Sequence, residues 1–144
     1  MFELPMRAFR INGTNGHIEY TLHEVYDTHV IGLEDTEGAL DIRADGFSAR
    51  GTLWASIFDL FDFCSHLKQC YESVSGEVVL RNPDRSFELN LSFKNSGHVS
   101  VIGVYKERYD RSNELNFEFE TDQADIFNVI SELEQLQRMF NQTE

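Results

Sequence analysis

The chain is poor in the residues that mark disordered, fibrous or disulfide-bonded proteins. It has two prolines, nine glycines and two cysteines in 144 residues. So little proline and glycine argues against a long disordered or collagen-like segment. The cysteines, Cys64 and Cys70, fall in a stretch with helical periodicity, where six residues correspond to about 9 Å of axial rise. A disulfide reaches only about 7 Å between Cα atoms, so both are expected as ordinary thiols, with Cys64 in the core. No apolar run approaches the roughly 20 residues of a membrane span. The opening MFELPMRAFRING has no basic stretch followed by an apolar core and a small-residue cleavage site. The expectation is a cytoplasmic protein with no membrane partner.

Positive charge is also scarce. Twelve basic residues stand against 25 acidic ones, for a net charge of −13. Residues 1–45 carry 9 acids and 3 bases, residues 46–106 carry 6 of each, and residues 107–144 carry 10 acids and 3 bases. Such a surface repels phosphate backbones and attracts cationic ones, so direct nucleic-acid binding is not expected.

Catalytic and metal-binding patterns are missing as well. His17, His23 and His29 recur every six residues, but six residues of strand span about 20 Å, too far to share an ion. The sequence contains no HExxH or CxxC, no G-x-S-x-G, and no Gly-Lys-Ser/Thr after the glycines of NGTNG. Cys64, on an apolar helix face, has no evident activating base. The reading is a non-enzymatic protein without metal or cofactor.

What is present is a core. Hydrophobic residues make up 41% of the chain, and twelve are Phe. That is enough for one domain covering residues 1–144. The first third reads as strands: FELPMRAFRI, with Pro5 at a strand entry or edge; HIEYTLHEV, with Ile18, Tyr20 and Leu22 on one face; and shorter pieces around THVIGLE, ALDIRAD and GFSARGTL. NGTNG between the first two is a hairpin signal, because Asn and Gly tolerate positive φ. From Ser56, a possible cap, the period changes. Ile57, Leu60, Phe61, Cys64, Leu67 and Tyr71 form a helical stripe, with Phe58 and Phe63 outside it. Period two returns in EVVLR, SFELNLSFK, HVSVIGVYKERY and ELNFEFE, joined by turns too short for parallel crossovers. TDQADIFNVISELEQLQRMF, with Thr121 or Asp122 as cap, closes on the stripe Ile126, Val129, Ile130, Leu133, Leu136 and Phe140. The expected class is α+β: an antiparallel sheet with two helices packed on it. No internal repeat is visible in the sequence.

In ELNFEFETD, Leu115, Phe117 and Phe119 alternate with Glu114, Glu118 and Glu120 around Asn116. One strand face should therefore be apolar and the other acidic. With Glu88 beside them on the same sheet, these carboxylates are the expected partner-binding face. A second acidic tract runs from Glu19 to Asp45 against one base, Arg43, and offers Glu34, Asp35 and Glu37 as a second contact loop.

GEVVL, FELNLSF, GHVSVIGVY and NELNFEFETDQADIFNVISELEQL together resemble the WapI-like immunity proteins of bacterial polymorphic-toxin and contact-dependent inhibition systems. The distinctive pieces are Gly97-His98-Val99 and the Leu-x-Phe-x-x-x-Thr-Asp-Gln junction of residues 115–123, and the likeness covers residues 46–140. It implies a small antitoxin that binds and neutralises the toxic C-terminal domain of a large secreted protein, often a nuclease. It carries over no catalytic residue. A second reading, from the residues themselves, is a small-ligand or regulatory domain with a pocket between sheet and helix, lined by Phe58, Phe63 and His98.

Overall fold

A computed structural model describes residues 3–26, 35–94 and 96–142. Among the described residues, eight strands and two helices follow the order ββββα twice: β1 (Met6–Gly13), β2 (Gly16–Val25), β3 (Thr36–Ala44), β4 (Phe47–Ala55), α1 (Ile57–Ser73), β5 (Gly76–Arg81), β6 (Phe87–Phe93), β7 (His98–Tyr105), β8 (Leu115–Asp122) and α2 (Gln123–Gln142). The class is α+β. The strands divide into two antiparallel meanders, β1-β2-β3-β4 (sheet A) and β5-β6-β7-β8 (sheet B). The architecture is thus a repeat that the sequence conceals, because the two units share element order and not residues. The strand expected at THVIGLE lies outside the described residues.

Alternation sets the faces. Ile18, Tyr20 and Leu22 of β2, Leu40 and Ile42 of β3, Leu89 and Leu91 of β6, and Val99 and Val101 of β7 are all buried, while the residues that alternate with them are half-buried or exposed, apart from Ser100 of β7, which is buried on the other face. A buried side chain of this size stabilises by about 1.5–3 kcal/mol. The inner faces of both sheets and both helices share one hydrophobic cluster. Phe63, off the helical stripe, is among its fully buried side chains, so α1 is covered on more than one side. In the final helix all six residues of the expected stripe are buried.

The helices are exchanged between the sheets. α1, which follows sheet A, packs on β5 of sheet B; α2, which follows sheet B, packs on β1 of sheet A; and the helices pack on each other. α2 also satisfies the edge of β1. Glu132 Oε1 accepts from the Arg10 backbone N–H at 3.2 Å, and Asp125 Oδ2 accepts from that of Asn12 at 2.8 Å.

The β1–β2 turn reaches across to sheet B, where the Thr14 N–H donates to the Glu120 carbonyl at 2.8 Å. Of the two residues at this turn, Asn15 has a positive φ of 59°. The two glycines of NGTNG serve a different need from the one their turn chemistry suggests. Gly13 and Gly16 pair as the closing strand residues, and a Cβ on Gly13 would lie 2.1 Å from the Glu120 carbonyl oxygen. They mark one place where the two sheets touch; the Tyr105 hydroxyl of β7 donating to the Thr52 carbonyl of β4 at 2.7 Å marks another.

Candidate protein-docking surface

Sheet B turns one face to the core and the other outward. Registers align Arg81, Glu88, Val104 and Asn116 in one outward row, Val79, Asn90, Ile102 and Glu118 in the next, and Glu77, Ser92, Ser100 and Glu120 in the third. Lys94, His98 and Asp122 continue the last row toward the β6–β7 turn. The face holds five carboxylates against two cations, and both cations are engaged. Arg81 Nε donates to Glu88, and Lys94 Nζ stands 3.6 Å from Glu120. Glu118 has no cationic partner among the described residues.

Of the carboxylates expected on this face, Glu88, Glu118 and Glu120 are on it. Glu114 sits one residue before β8, exposed, and accepts from Asn116 Nδ2 at 3.2 Å. Sequence reasoning missed the middle of the face. Ile102 is 47% exposed there, with half-buried Val79 and Val104 as its apolar neighbours on the face. The signal was present in HVSVIGVY, where Val101-Ile102 breaks the alternation. A strand with apolar residues on both faces reads as a central strand, and β7 does lie between β6 and β8. Its second apolar face is open.

The other expected contact is described only in part. Glu34 lies outside the described residues. Asp35 is 2% exposed, and its carboxylate is engaged within the fold. Its Oδ1 accepts from the Ile57 backbone N–H at 2.7 Å and so caps α1. Ser56, the expected cap, makes no side-chain cap bond, and its Oγ is without a partner among the described residues. Burial pushes the Asp35 carboxyl above the usual carboxylate range, against the opposing pull of the Ile57 N–H and its own N–H. Glu37 is half-buried on sheet A, between Glu24 and Trp54, and shares no face with Glu118.

The acidity of residues 19–45 is also offset in three dimensions. On the outward face of sheet A, Glu19 meets Arg7 at 3.3 Å and Arg10 at 3.5 Å, and Asp41 meets Arg50 at 3.4 Å and His17 at 3.5 Å. With Arg43 the face holds four arginines against Glu19, Glu24, Glu37 and Asp41. Two equivalent positions in the repeat therefore carry different charge: sheet A is balanced and sheet B is acidic.

Phe58, Phe63 and His98 do not line one cavity. Phe58 packs edge-on against Phe61 and Phe140, with ring centroids 6.3 and 5.8 Å away. Phe63 borders an open cleft of about 340 Å³ beside Asp59 and Arg81. His98 borders another, of about 540 Å³, between the β1–β2 turn and the start of α2. Among the described residues, no group of three or more His, Cys, Asp or Glu is placed to hold a metal ion, and no helix is long and apolar enough to cross a membrane. Cys64 is buried, and desolvation pushes its thiol up to about 11.

No curated protein matches the chain. A solved structure of the MRP1/MRP2 proteins of Trypanosoma brucei matches with a TM-score of 0.56 and 13% identity, over 96% of this chain and 88% of that one. At that identity the likeness is one of fold. A family model described as the immunity protein WapI-like family matches residues 9–141, which brings in the N-terminal sheet as well as the second half. The chain belongs to the WapI-like immunity protein family.

Proposed function

We propose that this protein is a non-enzymatic antitoxin of the cytoplasm that neutralises the toxic C-terminal domain of a cognate secreted protein, a basic nuclease, by docking it on the outward face of sheet B. Family membership supports the immunity role in general. The observation that carries the choice of face is the charge contrast between the sheets: five carboxylates against two cations on sheet B, and four against four on sheet A. A nuclease presents cations to its substrate's phosphates, and a carboxylate-bearing sheet competes for the same surface. Glu118 and Glu120 steer the encounter, with Glu88 and Glu114 at the margin. Asp35 belongs to the scaffold.

The test has two stages. Cells producing the toxin domain encoded immediately upstream of this gene should grow only when the protein is co-produced. Purified protein carrying Glu118→Lys and Glu120→Lys should then associate with that domain about tenfold more slowly at low salt, with a flatter salt dependence. Killing in both cultures, with the protein folded, refutes immunity toward that toxin. An unchanged association rate removes this face from the reading.

A further inference from the structure

Building on the antitoxin reading, we infer that Ile102 is the anchor of the interface, and that the partner seats an apolar side chain on it inside a ring of its own lysines and arginines. A β-strand that faces water normally alternates, and β6 and β8 do so, with Glu88, Asn90, Ser92, Asn116, Glu118 and Glu120 turned outward. β7 does not. It places Ile102 at the middle of the outward face, 47% exposed, with Val79 two strands away in the same row and Val104 on its own strand.

Polar or charged neighbours enclose the three. In the same row Asn90 lies between Val79 and Ile102, and Glu118 lies beyond Ile102; Glu77 and Glu120 are one row on; Arg81 and Glu88 close the row of Val104. A few apolar side chains inside a polar and charged rim match the anatomy of a protein-binding site, in which few central residues supply most of the affinity once the partner excludes water. The rim sets the chemistry of the occupant. Glu77, Glu118 and Glu120 flank the apolar centre, while the cations of the face already have carboxylate partners. An acidic partner would meet Glu77 and Glu118 with no cation beside them among the described residues, and Glu120 with Lys94 alone. A basic one neutralises them.

The size of the face bounds the interface. Four strands about 4.8 Å apart, paired over about six residues of length, give a face of roughly 15 by 20 Å. That is well under the ~800 Å² per partner of a stable complex. The partner must therefore reach past the strands, and the connection from β7 to β8 extends that end of the sheet with Glu114 and with Tyr109, 75% exposed.

The test measures dissociation of the upstream-encoded toxin domain from immobilised protein. Ile102→Thr keeps a β-branched residue on the strand, and its thermal midpoint should match that of the native chain. The complex should dissociate at least tenfold faster, while Ile102→Leu restores the native rate. Phe127→Thr removes an apolar side chain that is 55% exposed on α2, away from this face, and should leave the rate unchanged. If native protein binds and rescues growth but Ile102→Thr dissociates at the native rate, the anchor is refuted and immunity stands. If Phe127→Thr dissociates as fast as Ile102→Thr, the anchor assignment also falls. If native protein does not bind the domain, both readings fall together.

Discussion

Asp35 offers the sharpest physical test of the fold. Its carboxylate is almost without solvent, yet it stands 2.7 Å from the first backbone N–H of α1, and its own carbonyl accepts from the Tyr26 N–H at 2.7 Å. Two effects oppose each other there. Desolvation raises the carboxyl's pKa, and the bond to Ile57 lowers it, with desolvation the larger. Replacing Asp35 with Asn keeps an oxygen for Ile57 and removes the charge. Replacing it with Ala leaves a buried N–H without an acceptor.

The Ala variant should lose about 1–3 kcal/mol, the cost of a lost cap and an orphaned donor. The Asn variant should stay within about 1 kcal/mol of the native protein at neutral pH, because relief of desolvation is set against the lost attraction of a carboxylate to the helix N-terminus. The sign of the pH effect follows from the raised pKa. The native state binds this proton more tightly than the unfolded chain does, so the residue's contribution becomes more favourable as pH falls through its folded pKa and less favourable as pH rises through it.

Denaturant unfolding of native protein and of Asp35→Asn, from about pH 7 down to about pH 4, near the usual carboxylate range, reads that difference. The native protein should gain on the variant as pH falls. Taking the difference between the two chains limits the contribution of Asp59, whose carboxyl is also raised, first by burial and then by Asp62 and Asp35. Asn as damaging as Ala, or a native–Asn gap that is flat with pH, would refute the reasoning.

Three further outcomes are expected. Gly13→Ala drives a methyl into the Glu120 carbonyl at 2.1 Å and the Phe119 ring at 2.6 Å, and should lower stability by about 2–4 kcal/mol in thermal or denaturant unfolding. Val74, which ends α1 with φ 54° and ψ 35°, is a β-branched residue in the left-handed region, so Val74→Gly should raise the unfolding midpoint by about 1 kcal/mol of stability. The Cys64 thiol should resist a thiol-specific reagent in the native state at neutral pH and react once the chain is unfolded, since burial both raises its pKa and blocks access.

The legible parts of this fold are those whose physics is local. Alternation in SFELNLSFK and ELNFEFE located β6 and β8 and their faces, and the three-four spacing from Ile126 to Phe140 located α2 and its buried side, because each pattern is a direct record of which residues avoid water. Long-range pairing left no such record. Arg7 and Arg10 reach Glu19 across β1 and β2, and Arg50 reaches Asp41 across β3 and β4, so a tract that is acidic along the chain becomes part of a balanced face. Asp35 caps a helix that begins 22 residues later, and a charge count sees only a carboxylate beside Glu34 and Glu37. For the candidate surface, the carboxylates of β8 were legible from period two. Ile102 was not, since an apolar residue in a central strand is ordinarily a buried one.

The exchange of helices sets a timetable for synthesis. β1 is made long before α2, but the carboxylates that accept its Arg10 and Asn12 edge amides belong to Glu132 and Asp125 of that helix. While the ribosome works through the intervening hundred or so residues, that edge has none of its native acceptors, and an open edge is a template for stray strands. Two features of β1 suit the wait: Arg7 and Arg10 place charge along the strand, and the register shift between Arg7 and Phe9 interrupts its regular edge. β1 is thus completed by a helix made more than a hundred residues after it, and until α2 is made the nascent chain has only those local devices to keep β1 from pairing elsewhere.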